Sequence, residues 1–547
     1  MSPTRSHARS AIGATVAFLI LLSTFYALVS FTGRAPVIEN IEPKTAAPGE
    51  PIEIIGEHFG NTRGRAKVRI AGSTPTSSAY REWSDERIVM EVPEDVDSGL
   101  VYVETDRGRS NGALFANAAH VPMDSAAENS AARPAVSSVA PQSAAVGDVI
   151  VIRGERFGGN RKDSRVTFTW ESEDGEEGRI EVSGDEDGYV YWSAREVRVR
   201  VPDGAVSGAV SIETVRGESQ GVEVAVEHPV GRKRFTGRQS HAVAVSVSMD
   251  SVQLAEEAGD GTVFVWAPTV ARAPEQRNYQ VLTETETPLF SRASGVSLHR
   301  IENPAPDAPW SMRRTALFDR YAVETQIEPD AVPLGYERSA EFLRRYTEAD
   351  ELLPVDAAPV QTEAARLLRT ARNPYVRALR TYERVLAILS PIERVGAVQP
   401  VEALETGAAN AYGYAALTVS LLRAQDIAAR LVSGYLVCDP AAIERHYWAE
   451  FYIEDFGWVP LDPAVADGAV CESFAMPDDP VSFYFGNTDA DRITFSKGLI
   501  EVPRMHPEGR TRRVETMYSL QTHHQEAVGD ISWYRVRWHD VTYLGDY

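Results

Sequence analysis

The chain has 547 residues, 43% hydrophobic and 24% charged, a balance that excludes a mostly disordered or collagen-like protein. Its formal net charge of −23 sets the whole chain against phosphate backbones and anionic lipid, so no nucleic-acid partner is expected. At about 150 residues per domain the length implies three to four domains, and two cysteines, Cys438 and Cys471, are too few for a disulfide scaffold or a four-thiolate zinc site.

Arg5 and Arg9 precede an uncharged run from Ala11 to Thr32, AIGATVAFLILLSTFYALVSFT. A helix of about 20 apolar residues crosses a bilayer. The exit LVSFTGRAP lacks the small-residue pattern of a cleaved signal peptide. The expectation is a signal-anchor: residues 1–10 a cytoplasmic tail, 11–32 a transmembrane helix, and the bulk extracytoplasmic, periplasmic or at the cell surface. Cleavage of a signal peptide is the alternative, and it leaves the globular part on the same side.

Pro43, Gly49, Gly56, Phe59 and Gly60 recur 98 residues later as Pro141, Gly147, Gly154, Phe157 and Gly158. Trp83 then matches Trp192 at an offset of 109, so the second copy carries an insertion, placed at ESEDGEEG from Glu171. Alternating runs such as IVMEV and VRVRV, bounded by Pro and Gly, predict antiparallel strands of two sandwiches. The shared spacing P-x5-G-x6-G-x2-F resembles IPT/TIG domains, immunoglobulin-like modules, over residues 36–118 and 134–227. That resemblance implies spacer or binding modules, read here as a rigid stalk with ligand binding as the alternative. The insertion offers Glu173, Asp174, Asp185 and Asp187 to calcium but lacks the D-x-D-x-D-G spacing, so a solvated loop is expected. MDSAAENSAAR from Met123 and the basic GRKRFTGRQS from Gly231 read as linkers, the second as a solvated connector.

Strand-like text (AVAVSVSM, GTVFVWAP, NYQVLTE, YAVETQIEP) marks a β-rich domain over residues 241–330. Helical spacing takes over at Glu363 in EAARLLRTA and VRALRTYERVLAIL, split by Asn373-Pro374, and a third helix is predicted from Ala411 to Gln425. Three strand-like runs follow, RLVSGYLV, HYWAEFYIE and FGWVPLDP. In this order LLRA, ARLVSGY, H-x-W-A-E and GWVPLDP resemble the core of the transglutaminase-like superfamily, a papain-like α+β fold, most strongly over Thr362 to Ala464. The segment before resembles the β-domain that precedes this core in many bacterial envelope members, and DRITFSKGLIEVP resembles the strand that follows it. The domain is placed at 335–505, with a C-terminal β extension at 506–547.

The resemblance implies a Cys-His-Asp triad, with the cysteine ten residues before the first leucine of LLRA, at a helix N-terminus whose dipole favours the thiolate. That position holds Ala411; His446 and Asp462 match the base and its orienting acid. Asn410 and Tyr412 offer no effective nucleophile, and no Cys or Ser lies between Gly407 and Leu417. Cys438 and Cys471 stay open between a disulfide, two buried thiols and a displaced nucleophile. Tyr447, Trp448 and Trp458 read as core or cleft wall, with ligand stacking as the alternative, and NTDAD from Asn487 as a turn. No cofactor or metal is expected. The reading is therefore a multidomain, membrane-anchored pseudoenzyme binding a peptide, protein or cell-wall ligand around a remnant triad. An active cysteine protease or amide transferase, and a structural surface scaffold, are the alternatives.

Overall fold

A computed structural model describes residues 34–546 except 72, 94–95, 97–98, 118–132, 160, 162–163, 172–176, 183–187, 255–260, 293, 306–308, 337–339, 370, 440–441 and 513–516. The run Ala11–Thr32 and the acidic residues Glu173, Asp174, Asp185 and Asp187 lie outside the described residues. No helix among the described residues is long and apolar enough to cross a membrane. The chain divides into two compact units, one of residues 1–123 with 503–507, the other of residues 124–502 with 508–547.

In the smaller unit one sheet runs Val37–Glu42, Pro51–Glu57, Arg87–Glu91, Tyr80–Trp83, and a second runs Thr45–Ala46, Ala113–Asn117, Gly99–Thr105, Lys67–Ile70. Alternation buries Ile52, Ile54, Ile88 and Met90 between them around Phe59. The motif glycine has a steric reason: a Cβ on Gly56 would lie 1.9 Å from the Val37 carbonyl oxygen and 2.6 Å from the Phe59 ring. In the second copy Gly154 meets the Ala135 carbonyl and the Phe157 ring in the same way, at 2.0 and 2.5 Å. The second copy repeats the strand order, Ala135–Ala140, Val149–Glu155, Glu196–Arg200, Tyr189–Trp192 in one sheet. Its other sheet gains a strand at the insertion, where Glu177–Glu181 pairs antiparallel with Arg165–Glu171. Expected as loop throughout, the insertion is partly sheet, because the five-residue strand finds a free edge to pair with.

The larger unit is built on two long strands, β1 (Gly231–Leu254) and β5 (Trp310–Ile327), paired antiparallel from Gly231↔Ile327 to Met249↔Trp310. Between them come β2 (Gly261–Pro268), β3 (Gln276–Glu284) and β4 (Val296–Glu302). The basic GRKRFTGRQS is thus no connector but the first half of β1. Period-2 alternation turns Arg232 and Arg234 to solvent and Lys233 and Phe235 inward. The Lys233 side chain, 5% exposed, pairs with Asp203 of the second repeat and donates to the Trp458 carbonyl at 2.5 Å. Phe235, Tyr321 and Val323 join the core of the second repeat, whereas Val243, Val245, Val247 and Phe318 build the core of the β-rich region.

The remaining elements are the helices α1 (Ala358–Leu368), α2 (Pro374–Ile388) and α3 (Ala411–Arg423), then β6 (Ala429–Asp439), β7 (Ala442–Ile453), β8 (Gly457–Leu461) and β9 (Arg492–Lys497). The last four form an antiparallel sheet in the order β8-β7-β6-β9. Near the C-terminus β10 (Gln525–Gly529) pairs with β2, while β11 (Ile531–Trp538) and β12 (Thr542–Asp546) pair with β1. Chain-distant strands therefore close both sheets of the β-rich region.

Lys233→Ala is expected to cost about 3 kcal/mol, since it leaves the largely buried Asp203 carboxylate without its cation and with only the Trp458 N–H, at 3.0 Å, as a partner among the described residues. Urea unfolding of the variant beside the parent checks this, with a lowered midpoint as the outcome.

Candidate functional site

Helix α3 is apolar on all sides, with every residue from Tyr412 to Arg423 buried, so it runs through the core rather than over it. Asn410 starts it: its Oδ1 accepts from the Gly413 N–H at 3.2 Å, and its Nδ2 donates to the Gly396 and Arg394 carbonyls at 2.7 and 3.1 Å. Ala411 is the first helical residue, half-buried, where unpaired N–H groups favour an anion. It packs against the two apolar clusters that contain Tyr447 and Ala464.

Strand β7 turns Tyr447, Ala449 and Phe451 to the core shared with α3, and Tyr412 meets Tyr447 edge-on at 5.3 Å. By alternation His446, Trp448 and Glu450 project from the other face. His446 pairs in register with Gly434 of β6. A side chain at 434 would put its Cβ 1.8 Å from the Ile493 carbonyl, so glycine lets β9 approach closely behind the histidine.

His446 Nε2 lies 2.7 Å from Asp462 Oδ2, with the two side chains 2% and 0% exposed. Asp462 follows β8; its Oδ1 accepts from the Val465 N–H at 3.1 Å, and its Oδ2 also accepts from Arg492 Nη1 at 2.5 Å. Arg492, fully buried, reaches on to Asp489 at 3.0 Å. Burial alone would raise the Asp462 pKa, but the charges of His446 and Arg492 outweigh it and hold the carboxyl well below the ordinary range. Burial likewise disfavours the Arg492 cation, and Asp489 and Asp462 reverse that and hold it charged. Trp448 stacks on the His446 ring, centroids 6.2 Å apart, and the Arg492 guanidinium lies over Trp448 at 5.2 Å. His446 Nδ1 makes no hydrogen bond among the described residues, leaving one ring nitrogen for an incoming group.

A histidine oriented by a buried carboxylate is the base half of a nucleophilic site. At the position that the sequence resemblance gives to the nucleophile stands Ala411, whose methyl group forms no covalent intermediate. Neither cysteine supplies the nucleophile. Cys438, at the end of β6, and Cys471 form a disulfide with their Cα atoms 6.1 Å apart, which closes the question left open by the sequence. Glu444 lies beside that bond, but two sulfurs bonded to each other leave the trio one ionic donor for a metal.

The remaining residues singled out in the sequence are also placed. Tyr447 is core, while Trp448 is buried on the dyad's face of β7. Trp458 meets Tyr346 edge-on at 4.8 Å under the Arg430 guanidinium, 3.8 Å from its ring centroid. In the NTDAD run, Asn487 Oδ1 accepts from the Thr325 N–H at 2.9 Å and Asp489 holds Arg492. Sequence reasoning took DRITFSK as a strand but missed Arg492 as the third member of the dyad's network. An arginine set next to the alternating apolar residues Ile493 and Phe495 was the available signal, since such a group is buried only when paired.

Because the folded-state pKa of Asp462 is depressed, its stabilisation is present above the unfolded value of about 3.9 and is lost as pH falls below it. Asp462→Asn is expected to cost about 3 kcal/mol at neutral pH by leaving Arg492 under-compensated, and to flatten the acid limb of a stability–pH curve. Denaturant midpoints from pH 7 to 3 check both. Reduction of Cys438–Cys471, which spans 33 residues, is expected to lower stability by about 3 kcal/mol. Unfolding with and without dithiothreitol measures it.

Residues 361–463 match the transglutaminase-like superfamily and residues 36–119 match the IPT/TIG domain. No curated protein matches the chain. Among solved structures, a candidate cysteine protease from Cytophaga hutchinsonii is 14% identical, covers 57% of this chain and 93% of its own, and has a TM-score of 0.36. The periplasmic domain of TgpA from Pseudomonas aeruginosa is 11% identical over 44% of this chain and 88% of its own, TM-score 0.24. SGBP-B from a xyloglucan utilization locus of Bacteroides uniformis is 12% identical over 53% and 99%, TM-score 0.14. The chain thus contains a transglutaminase-like domain at residues 361–463 and an IPT/TIG domain at residues 36–119.

Proposed function

We propose that the transglutaminase-like domain is a pseudoenzyme that binds a peptide or amide-bearing cell-envelope ligand without cleaving it. The observation that carries this reading is Ala411 at the first residue of α3, on a scaffold that keeps His446 and Asp462 hydrogen-bonded at 2.7 Å. With both cysteines in one disulfide, a displaced thiolate has no source, which disfavours the reading as an active cysteine protease or amide transferase. The IPT/TIG domain then serves to present this cleft. A membrane anchor at residues 11–32 and an extracytoplasmic bulk belong to the same proposal, supported by the apolar run Ala11–Thr32 and by a disulfide that suits an oxidising compartment.

The test compares the parent with Ala411→Cys and His446→Ala in amide hydrolysis, amine incorporation and iodoacetamide labelling. The parent is expected to be inert, and Ala411→Cys to label below the ordinary thiol pKa of about 8.5, because the helix N-terminus and the His446 dyad favour the thiolate. Adding His446→Ala should slow that labelling. Turnover by the parent that His446→Ala abolishes would overturn the proposal, as would an Ala411→Cys thiol no more reactive than a free one, the mark of a vestigial cleft in a scaffold.

A further inference from the structure

Within the larger unit a cavity of about 170 Å3 opens where the second repeat, the β-rich region and the transglutaminase-like sheet meet. Among the described residues, eight lysines or arginines line it against three carboxylates. In a chain of net charge −23 this local excess of cations calls for a physical reason.

The wall's own carboxylates are already engaged. Glu275 pairs with Lys497 at 2.5 Å and with Arg320 at 3.2 Å, and Glu450 with Arg430 at 2.6 Å and Lys497 at 2.8 Å. Asp203 is taken by Lys233. Cationic capacity remains. Arg320 is 1% exposed; its Nη1 faces Glu275 Oε1 at 3.2 Å, but its Nε finds no acceptor among the described residues, and the buried Thr488 hydroxyl has no partner either. Burial, with the nearby Arg492 charge, holds the Arg320 pKa below its ordinary value despite Glu275 and Asp489. Nearer solvent, Arg272 and Arg292 line the cavity and make no ion pair among the described residues. A guanidinium out of water with unpaired N–H groups is costly, and an incoming oxyanion removes that cost.

Trp448, Tyr346 and Trp458 supply an apolar wall beside these cations. A cavity of about 150 Å3 accommodates a benzene-sized body, so the volume fits a ring or short chain bearing one acidic group. We propose that this cavity binds a small organic oxyanion, a carboxylate or phosphate ester, with Arg320 taking the oxyanion and the aromatic wall taking the ligand's apolar body. The site does not rest on the reading of Ala411: Ala411, His446 and Asp462 do not line it, and Trp448, which stacks on His446, is the wall residue it shares with the dyad.

Calorimetric titration of the full chain with benzoate, phenyl phosphate and the neutral benzamide tests it. One or both anions should bind and benzamide should not; the tighter anion identifies the acidic group. Arg320→Met is expected to weaken binding by about tenfold or more. The outward-lying double variant Arg272→Gln/Arg292→Gln should weaken it several-fold while keeping the parent's urea midpoint, so the test stands even where Arg320→Met fails to fold. Ala411→Cys should bind as the parent does, which separates this outcome from the pseudoenzyme question. Absence of binding by both anions, equal binding of benzamide, or unchanged affinity in the double variant would overturn the proposal.

Discussion

The pairing of β1 with β5 is the constraint on which the larger unit depends. Over this ladder the two strands hand their inward side chains to different cores, Phe235 and Tyr321 to the second repeat and Val243 to Val247 and Phe318 to the β-rich region. The same cluster that receives Val243 also takes Tyr435, Val437, Ile493 and Phe495 from the sheet that carries the dyad. A strand shared by two cores couples them, since bending it breaks ladder hydrogen bonds and opens apolar surface at once; the ladder's one register shift, between Thr236 and Gln239, falls where the strand passes from one core to the other. Lys233 adds a polar tie, linking Asp203 to the Trp458 carbonyl across the same junction.

Around His446 the network is wider than a dyad. Arg492 spans Asp462 and Asp489, so two acids and one buried cation stand together, and the Trp448 ring stacks on the histidine and lies under the guanidinium. Buried charges persist only when paired and hydrogen-bonded, since an isolated one costs several kcal/mol. With Ala411 at the start of α3, the network does not depend on a thiol there. His446, Asp462 and Arg492 hold one another in place through this buried network.

Several features were legible in the sequence because they are local. The motif glycines and phenylalanines of the repeats report one steric contact, Gly56 against Phe59 and Gly154 against Phe157, at a fixed short spacing. Asn373 before Pro374 and Asn410 before Ala411 announce helix starts, and both cap their helices through side-chain oxygens. His446 and Asp462 were found through the motifs around them, and the structure brings their side chains into hydrogen-bond contact.

What escaped the sequence depends on partners far along the chain. GRKRFTGRQS has the composition of a solvated linker, yet it is a strand, because β5, some 80 residues away, supplies the pairing edge and Asp203 neutralises Lys233. The bond between Cys438 and Cys471, the role of Arg492 and the cation-lined cavity likewise arise where separate stretches of the chain converge. Sequence by itself determined the two domain kinds, the helix starts at Pro374 and Ala411 and the absence of a thiol at position 411, since each is written within a few residues, whereas α1 starts at Ala358, ahead of the expected Glu363. Tertiary structure alone decided which charges are paired, which cysteines are bonded and where cations gather, because those depend on distance in space rather than along the chain.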